Sequence, residues 1–154
     1  MSNQIFKMVL SVALLLGFAG VAQAEMSREE VAIKFRRNAY SMLTWYFGPL
    51  SKMAKGISPY DRDAFIRNAE TLAFLVKLPK EGFIPGSDKG DTKARPEIWS
   101  EAGRFKLANE ALEKETGKLV ELAKGNNFDA TKEQLVKVQK ACKACHEDFK
   151  NRAD

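Results

Sequence analysis

The sequence predicts an all-α fold, an antiparallel four-helix bundle, and three observations carry that prediction. Apolar residues recur at spacings of three and four along four separate segments. Each segment begins or ends on a recognisable helix signal. No stretch shows the strict apolar–polar alternation of a half-buried strand. The bundle is expected within residues 25–154, because residues 1–24 read as a signal peptide. Lys7 supplies the positive start, Met8 to Phe18 the short apolar core, and Ala22-Gln23-Ala24 a small-x-small cleavage site. That apolar core falls short of the ~20 residues needed to span a bilayer, so no membrane anchor is expected after cleavage. The remaining 130 residues make one domain.

The first helix is expected from about Arg28 to Ala54. Ser27 and Glu30 have capping-box spacing at its start, and Gly56 is a stop signal. The second is expected from about Pro59 to Leu78. Ser58 can cap it, Pro59 suits the first helical position, Asp61 suits the first turn, and Pro79 ends it. The connection Lys80 to Arg95 is longer than the ~2–8 residues usual between helices. It has the length of a crossover, or of a loop covering the edge of a cofactor. The third helix opens at Pro96-Glu97 and stops near Gly125. The fourth opens near Asp129 or Thr131, with Thr131 and Gln134 spaced as a capping box, and runs to the C-terminus.

The apolar faces follow. The fourth helix reads Leu135, Val138, Cys142, Cys145, Phe149, which places both cysteines on its inward seam. The third offers Ile98, Ala102, Phe105, Leu112, Leu119 and Leu122, and the second Phe65, Leu72, Leu75 and Val76. The first helix carries two stripes, Arg36-Tyr40-Leu43-Phe47-Leu50 and Val31-Phe35-Met42-Tyr46-Met53, with Trp45 between them. A helix apolar on more than one stripe needs more than one partner surface. One stripe can face the core, and the other either meets a second subunit, making a homodimer through helix one, or widens the core face.

Cys142-Lys143-Ala144-Cys145-His146 is the most specific motif in the chain. C-x-x-C-H is the attachment signature of a c-type haem, with two thiols for thioethers and an adjacent imidazole for the iron. On a helix, spacings of three and four put all three side chains on one face. A structural zinc site would be one protein ligand short. A thioredoxin-like reading needs a βαβ pattern that the chain lacks. The cofactor expected is therefore one covalent haem c, with Cys142 and Cys145 as attachment points and His146 as metal ligand. The export signal together with this motif points to the periplasm.

Removing residues 1–24 takes away one lysine and leaves 24 Lys and Arg against 20 Asp and Glu. These charges are spread along the helices, which gives no support to nucleic-acid binding. His146 is the only histidine, so ligation by two histidines within one chain is excluded. No Met follows it. Met42 or Met53 on the first helix remains as a sixth ligand, and Met26 lies near the start of the domain. If no Met reaches the iron, the site is five-coordinate and open to small neutral diatomics.

With these residues in view, the chain resembles the cytochrome c′ family, the high-spin class II c-type cytochromes. Lys34-Phe35-Arg36-Arg37-Asn38-Ala39-Tyr40 is similar to the family's distal stretch on helix one. Ala94-Arg95-Pro96-Glu97-Ile98-Trp99 is similar to its motif at the start of helix three. The resemblance implies a homodimeric periplasmic bundle with five-coordinate haem that binds NO and CO, in NO tolerance or transfer, with electron transfer to a redox partner also possible. It implies that Tyr40 stands above the open iron face, that Arg36 or Arg37 serves the haem propionates, and that Trp99 belongs to the cofactor-binding set. Lys150 stands where many members carry Arg four residues after the histidine, and a lysine lacks that planar fork. The competing reading is a one-electron carrier with Met-ligated, low-spin haem. An enzyme is not expected, because no distal His exists for proton transfer and Tyr40 is a poor substitute near neutral pH.

Overall fold

The structure is a computed structural model that describes residues 25–151; the leader expected at residues 1–24 lies outside the described residues. Among the described residues five helices are present: α1 Arg28–Ala54, α2 Arg62–Leu75, the short α3 Glu97–Ser100, α4 Ala102–Lys124 and α5 Phe128–Phe149. A 3-10 turn, Pro79–Gly82, lies in the connection after α2. Among the described residues there is no strand, only an isolated bridge between Ala94 and Lys150. No described helix is long and apolar enough to cross a membrane.

α1 starts and stops where its sequence says. The Ser27 hydroxyl accepts from the Glu30 N–H at 3.2 Å, and the Glu30 carboxylate accepts from the Ser27 N–H at 2.8 Å. Gly56 takes φ 69°, a left-handed conformation that a side chain would strain.

The other helices differ from expectation at their ends. α2 begins three residues late, because Asp61 and not Ser58 is its N-cap, accepting from the Ala64 N–H at 3.0 Å. Tyr60, just before that cap, stacks on Phe128 with ring centroids 3.8 Å apart. It ends at Leu75, where the chain tightens through Leu78 N–H to Leu75 O at 3.1 Å into the Pro79 turn. The expected third helix is two pieces, bent at Glu101 (φ −119°, ψ 43°). Its first turn is tied to the connection by the Trp99 indole, and its second piece is held in the core by Phe105. α5 opens at Phe128 under an Asn127 cap, so the Thr131–Gln134 capping box does not form. Both residues are instead buried between helices. The Thr131 hydroxyl donates to Leu122 O at 3.1 Å, and the Gln134 amide donates to Glu115 O at 3.0 Å.

Two apolar clusters hold the bundle. The larger joins Leu50 and Met53 of α1, Phe65, Ala69 and Leu72 of α2 with Val76, Leu119 and Ala123 of α4, and Leu135 and Val138 of α5. The smaller joins Ile98, Phe105 and Phe149, with Phe83, Trp99 and Cys145 against it. α4 runs along α5, and α2 along both α1 and α4, while α1 and α5 touch sparsely. The space between the clusters is a cavity, and it separates α1 from α5.

The second stripe of α1 divides. Met53 is buried in the larger cluster and Tyr46 is half-buried, so neither belongs to an outward face. Val31, Phe35, Met42 and Trp45 remain exposed, Trp45 by 76%. At 100° per residue these four fall within one narrow stripe along the outside of α1.

Candidate functional site

The cavity has a volume of about 570 Å³, within the ~300–1,000 Å³ usual for cofactor sites. α1 supplies Arg36, Tyr40, Leu43 and Phe47, and α5 supplies Val138, Cys142, Cys145 and His146. Leu72, Val76, Phe83, Ile98, Phe105 and Phe149 close its sides. The two cysteines and the histidine thus open into one space, opposite the first stripe of α1. Phe83 and Thr92, on the connection, were not singled out by the sequence. The signal for Phe83 was the apolar pair Phe83-Ile84 in an otherwise polar loop.

Both thiols are free and half-buried. Burial raises the Cys142 thiol and pushes Cys145 up to about 11, with Cys142 and Asp148 adding to the latter. His146 stands at the rim. Its pKa is lowered, first by desolvation and then by the charge of Lys150, which favours the neutral imidazole that binds metals. Among the described residues no three His, Cys, Asp or Glu side chains converge to hold a metal ion. Lys150 lines the cavity mouth, and its N–H donates to His146 O at 3.2 Å.

Arg36 is buried on the opposite wall, 2% exposed. Its Nη1 donates to Gly82 O at 2.7 Å and to Ser87 Oγ at 2.8 Å. Its Nη2 donates to Ser87 O at 2.5 Å and to Thr92 Oγ1 at 2.7 Å. The side chain therefore fastens the long connection to α1. Gly82 permits that approach, since a Cβ there would meet Ala32 O at 2.8 Å. Burial lowers the Arg36 pKa, yet no described carboxylate forms an ion pair with it. A buried cation normally has an anionic partner. Arg37 is exposed at the mouth, ion-paired with Asp91. Tyr40 is half-buried in the cavity, and burial, then the neighbouring Cys145, holds its phenol well above the ordinary value, so it stays protonated.

Trp99 does not line the cavity. Its indole N–H donates to Phe83 O at 3.2 Å and Ile84 O at 3.1 Å, so it braces the wall that Phe83 presents. None of Met26, Met42 and Met53 lines the space: Met53 is in the larger cluster, and Met42 and Met26 are exposed.

The residues present fit haem: two free thiols and an imidazole on one side, apolar walls, and an unpaired buried cation toward which carboxylates are drawn. Fold and site define a helical-bundle c-type haem protein. The sequence profile of the Cytochrome C′ family matches residues 31–150, and the chain belongs to that family, whose cofactor is covalently attached haem c. The chain is 34% identical over 128 residues to cytochrome c′ of Alcaligenes xylosoxydans xylosoxydans, covering 83% of this chain and 99% of that one. Its structure matches cytochrome c prime from Shewanella frigidimarina with TM-score 0.79 at 34% identity, covering 83% and 100%. It also matches, with TM-score 0.78 at 34% identity over 84% and 100%, a nitric oxide complex of a leucine-to-alanine mutant of the Alcaligenes xylosoxidans protein.

Proposed function

We propose that this protein is a periplasmic, five-coordinate, high-spin haem protein that binds NO and CO and serves NO tolerance or transfer. Cys142 and Cys145 hold the haem as thioethers, and His146 is the iron's protein ligand. Bound haem supplies an iron with one position open to a diatomic. The observation that carries this reading is the wall facing α5: Arg36, Tyr40, Leu43 and Phe47, with no Met among the cavity residues. The Tyr40 ring, Leu43 and Phe47 exclude water and anions from the iron while admitting a small neutral gas. Arg36 offers its unpaired charge to the propionates, and Tyr40 limits access by volume. The nitric oxide complex of the Alcaligenes xylosoxidans relative supports the same ligand class. Export rests on Lys7, the Met8–Phe18 core and Ala22-Gln23-Ala24.

Optical spectra of the purified ferrous protein test this. A broad, unsplit visible band that changes on adding CO or NO is expected. Sharp α and β bands before any gas is added would instead indicate a six-coordinate, Met-ligated electron carrier. Acid–acetone should leave the haem on the polypeptide, and free haem in the extract would reject the thioethers.

The exposed stripe Val31, Phe35, Met42 and Trp45 supports a homodimer through α1, because soluble monomers rarely leave a contiguous apolar patch uncovered. Sedimentation of haem-loaded protein at micromolar concentration should give a two-subunit mass, and Trp45→Glu should reduce it to one. A wild-type monomer at every concentration would reject the interface.

A further inference from the structure

A groove of about 250 Å³ runs between α4 and α5, and the haem reading does not use it. Leu107, Ala111, Ala141 and Ala144 line it, and Leu107 stands 65% exposed. Ala108, Cys145 and Phe149 line both this groove and the large cavity, so they form the wall between the two. One end is closed by Arg104, which pairs with Asp148 at 2.8 Å and lies over the Phe149 ring. At 100° per residue, the groove's two rows continue past the other end to Lys118 on α4 and Lys137 on α5. Lys114 and Lys140 flank them on the outer edges, and all four lysines are exposed. The charges on this face do not balance. Every carboxylate in residues 104–118 and 137–148 is engaged. Glu110 pairs with Lys106, Glu113 with Lys80, Glu147 with Lys143 and Asp148 with Arg104, while Glu115 accepts from the Gln134 amide. Lys114, Lys118, Lys137 and Lys140 form no ion pair among the described residues.

We propose that this face of α4 and α5 docks an acidic one-electron donor protein, which sets an apolar side chain in the groove and its carboxylates on the four lysines. This rests on the haem site proposed above and adds the partner that keeps it ferrous. On that reading Cys145 is a point of haem attachment, and it is also part of the groove's wall. A partner seated there is one residue's thickness from the haem's covalent link. The partner loses one electron and ferric haem gains it, with no bond made or broken and no proton moved. A recess lined by alanines receives a protruding side chain, whereas a lipid surface is met by protruding ones. A small apolar centre beside exposed charge suits a transient redox encounter, which buries less than ~1,200 Å². The unpaired lysines supply the steering that such an encounter needs.

The test uses haem-loaded wild type, the double variant Lys118→Glu/Lys137→Glu and Ala111→Trp, with flavodoxin as the acidic probe. In the ferrous CO form, oxidised flavodoxin should shift wild-type amide NMR signals in residues 104–118 and 137–148. Ala111→Trp fills the groove and should weaken that binding without changing its salt dependence. In stopped flow, flavodoxin hydroquinone should reduce ferric wild type about tenfold faster than the double variant at low salt. The gap should close near 1 M salt, where the screening length is ~3 Å. Photoreduced lumiflavin, a small neutral donor, should reduce all three proteins at equal rates. Amide shifts centred on other helices, or equal flavodoxin rates for wild type and the double variant, would overturn the proposal. So would a loss seen equally with lumiflavin, because the substitutions would then act on the haem and not on docking. Wild type that binds phosphatidylglycerol vesicles but not flavodoxin would assign the face to lipid. Assembly beyond two subunits that the double variant dissolves would assign it to a second copy. Either result rejects the donor protein. Free haem in an acid–acetone extract of wild type is a separate result, and it would count against the haem site itself.

Discussion

CO should bind roughly ten to a hundred times faster to ferrous protein carrying Tyr40→Ala than to wild type. Tyr40 is the largest side chain that α1 aims into the cavity beside Arg36, Leu43 and Phe47. On the proposed function an arriving ligand displaces that ring, and a packing cost of about 1.5–3 kcal/mol in the barrier corresponds to that range of rates. The ring's phenol is held protonated by burial, so the effect should not vary between pH 6 and 9. Haem attachment depends on α5 and should be unaltered. Flash photolysis decides the matter, and association rates within a factor of two of wild type would show that the ring does not gate the iron.

Arg36→Leu should lose on the order of 3–5 kcal/mol of stability, a large share of the ~5–15 kcal/mol typical of a domain. The guanidinium is the one side chain tying Gly82, Ser87 and Thr92 to α1. Leucine would leave Gly82 O and Ser87 O buried without their donors, and each such orphan costs about 1–3 kcal/mol. Arg36→Lys should recover little, because an ammonium cannot fork to four acceptors. Urea denaturation of the loaded proteins measures both. A loss under about 1 kcal/mol in Arg36→Leu would mean that the connection holds itself in place.

Much of the site could be read in advance because its chemistry is local. Cys142, Cys145 and His146 fall within five consecutive positions on one helix, and helical spacing alone puts them on a shared face. The first stripe of α1 was equally legible, and four of its five members line the cavity. The ends of α2 and α5 were not. Ser58 and Asp61 both have cap chemistry, and so do Asn127 and Thr131. Contacts with other helices chose between them: Tyr60 stacks on Phe128, and Thr131 is drawn to Leu122 O. Trp99 sits in a motif that resembles its family's, yet its indole faces the connection's carbonyls and not the cavity.

The sequence by itself determined the helical class, the order of the helices and the thiol–imidazole face, because periodicity, caps and the Cys142–His146 spacing act within a few residues of backbone. The tertiary structure decided which methionines are out of reach, which of two adjacent arginines is buried, and where the cavity lies. Met42 and Met53 lie on the same predicted stripe, yet one is exposed and the other is in the core. Arg36 and Arg37 are neighbours, but only Arg36 points where the connection folds back to offer four acceptors. Those outcomes depend on contacts between residues some fifty positions apart. No pattern along one helix encodes them, since they exist only once the connection has closed over α1 and the two apolar clusters have set α1 and α5 apart.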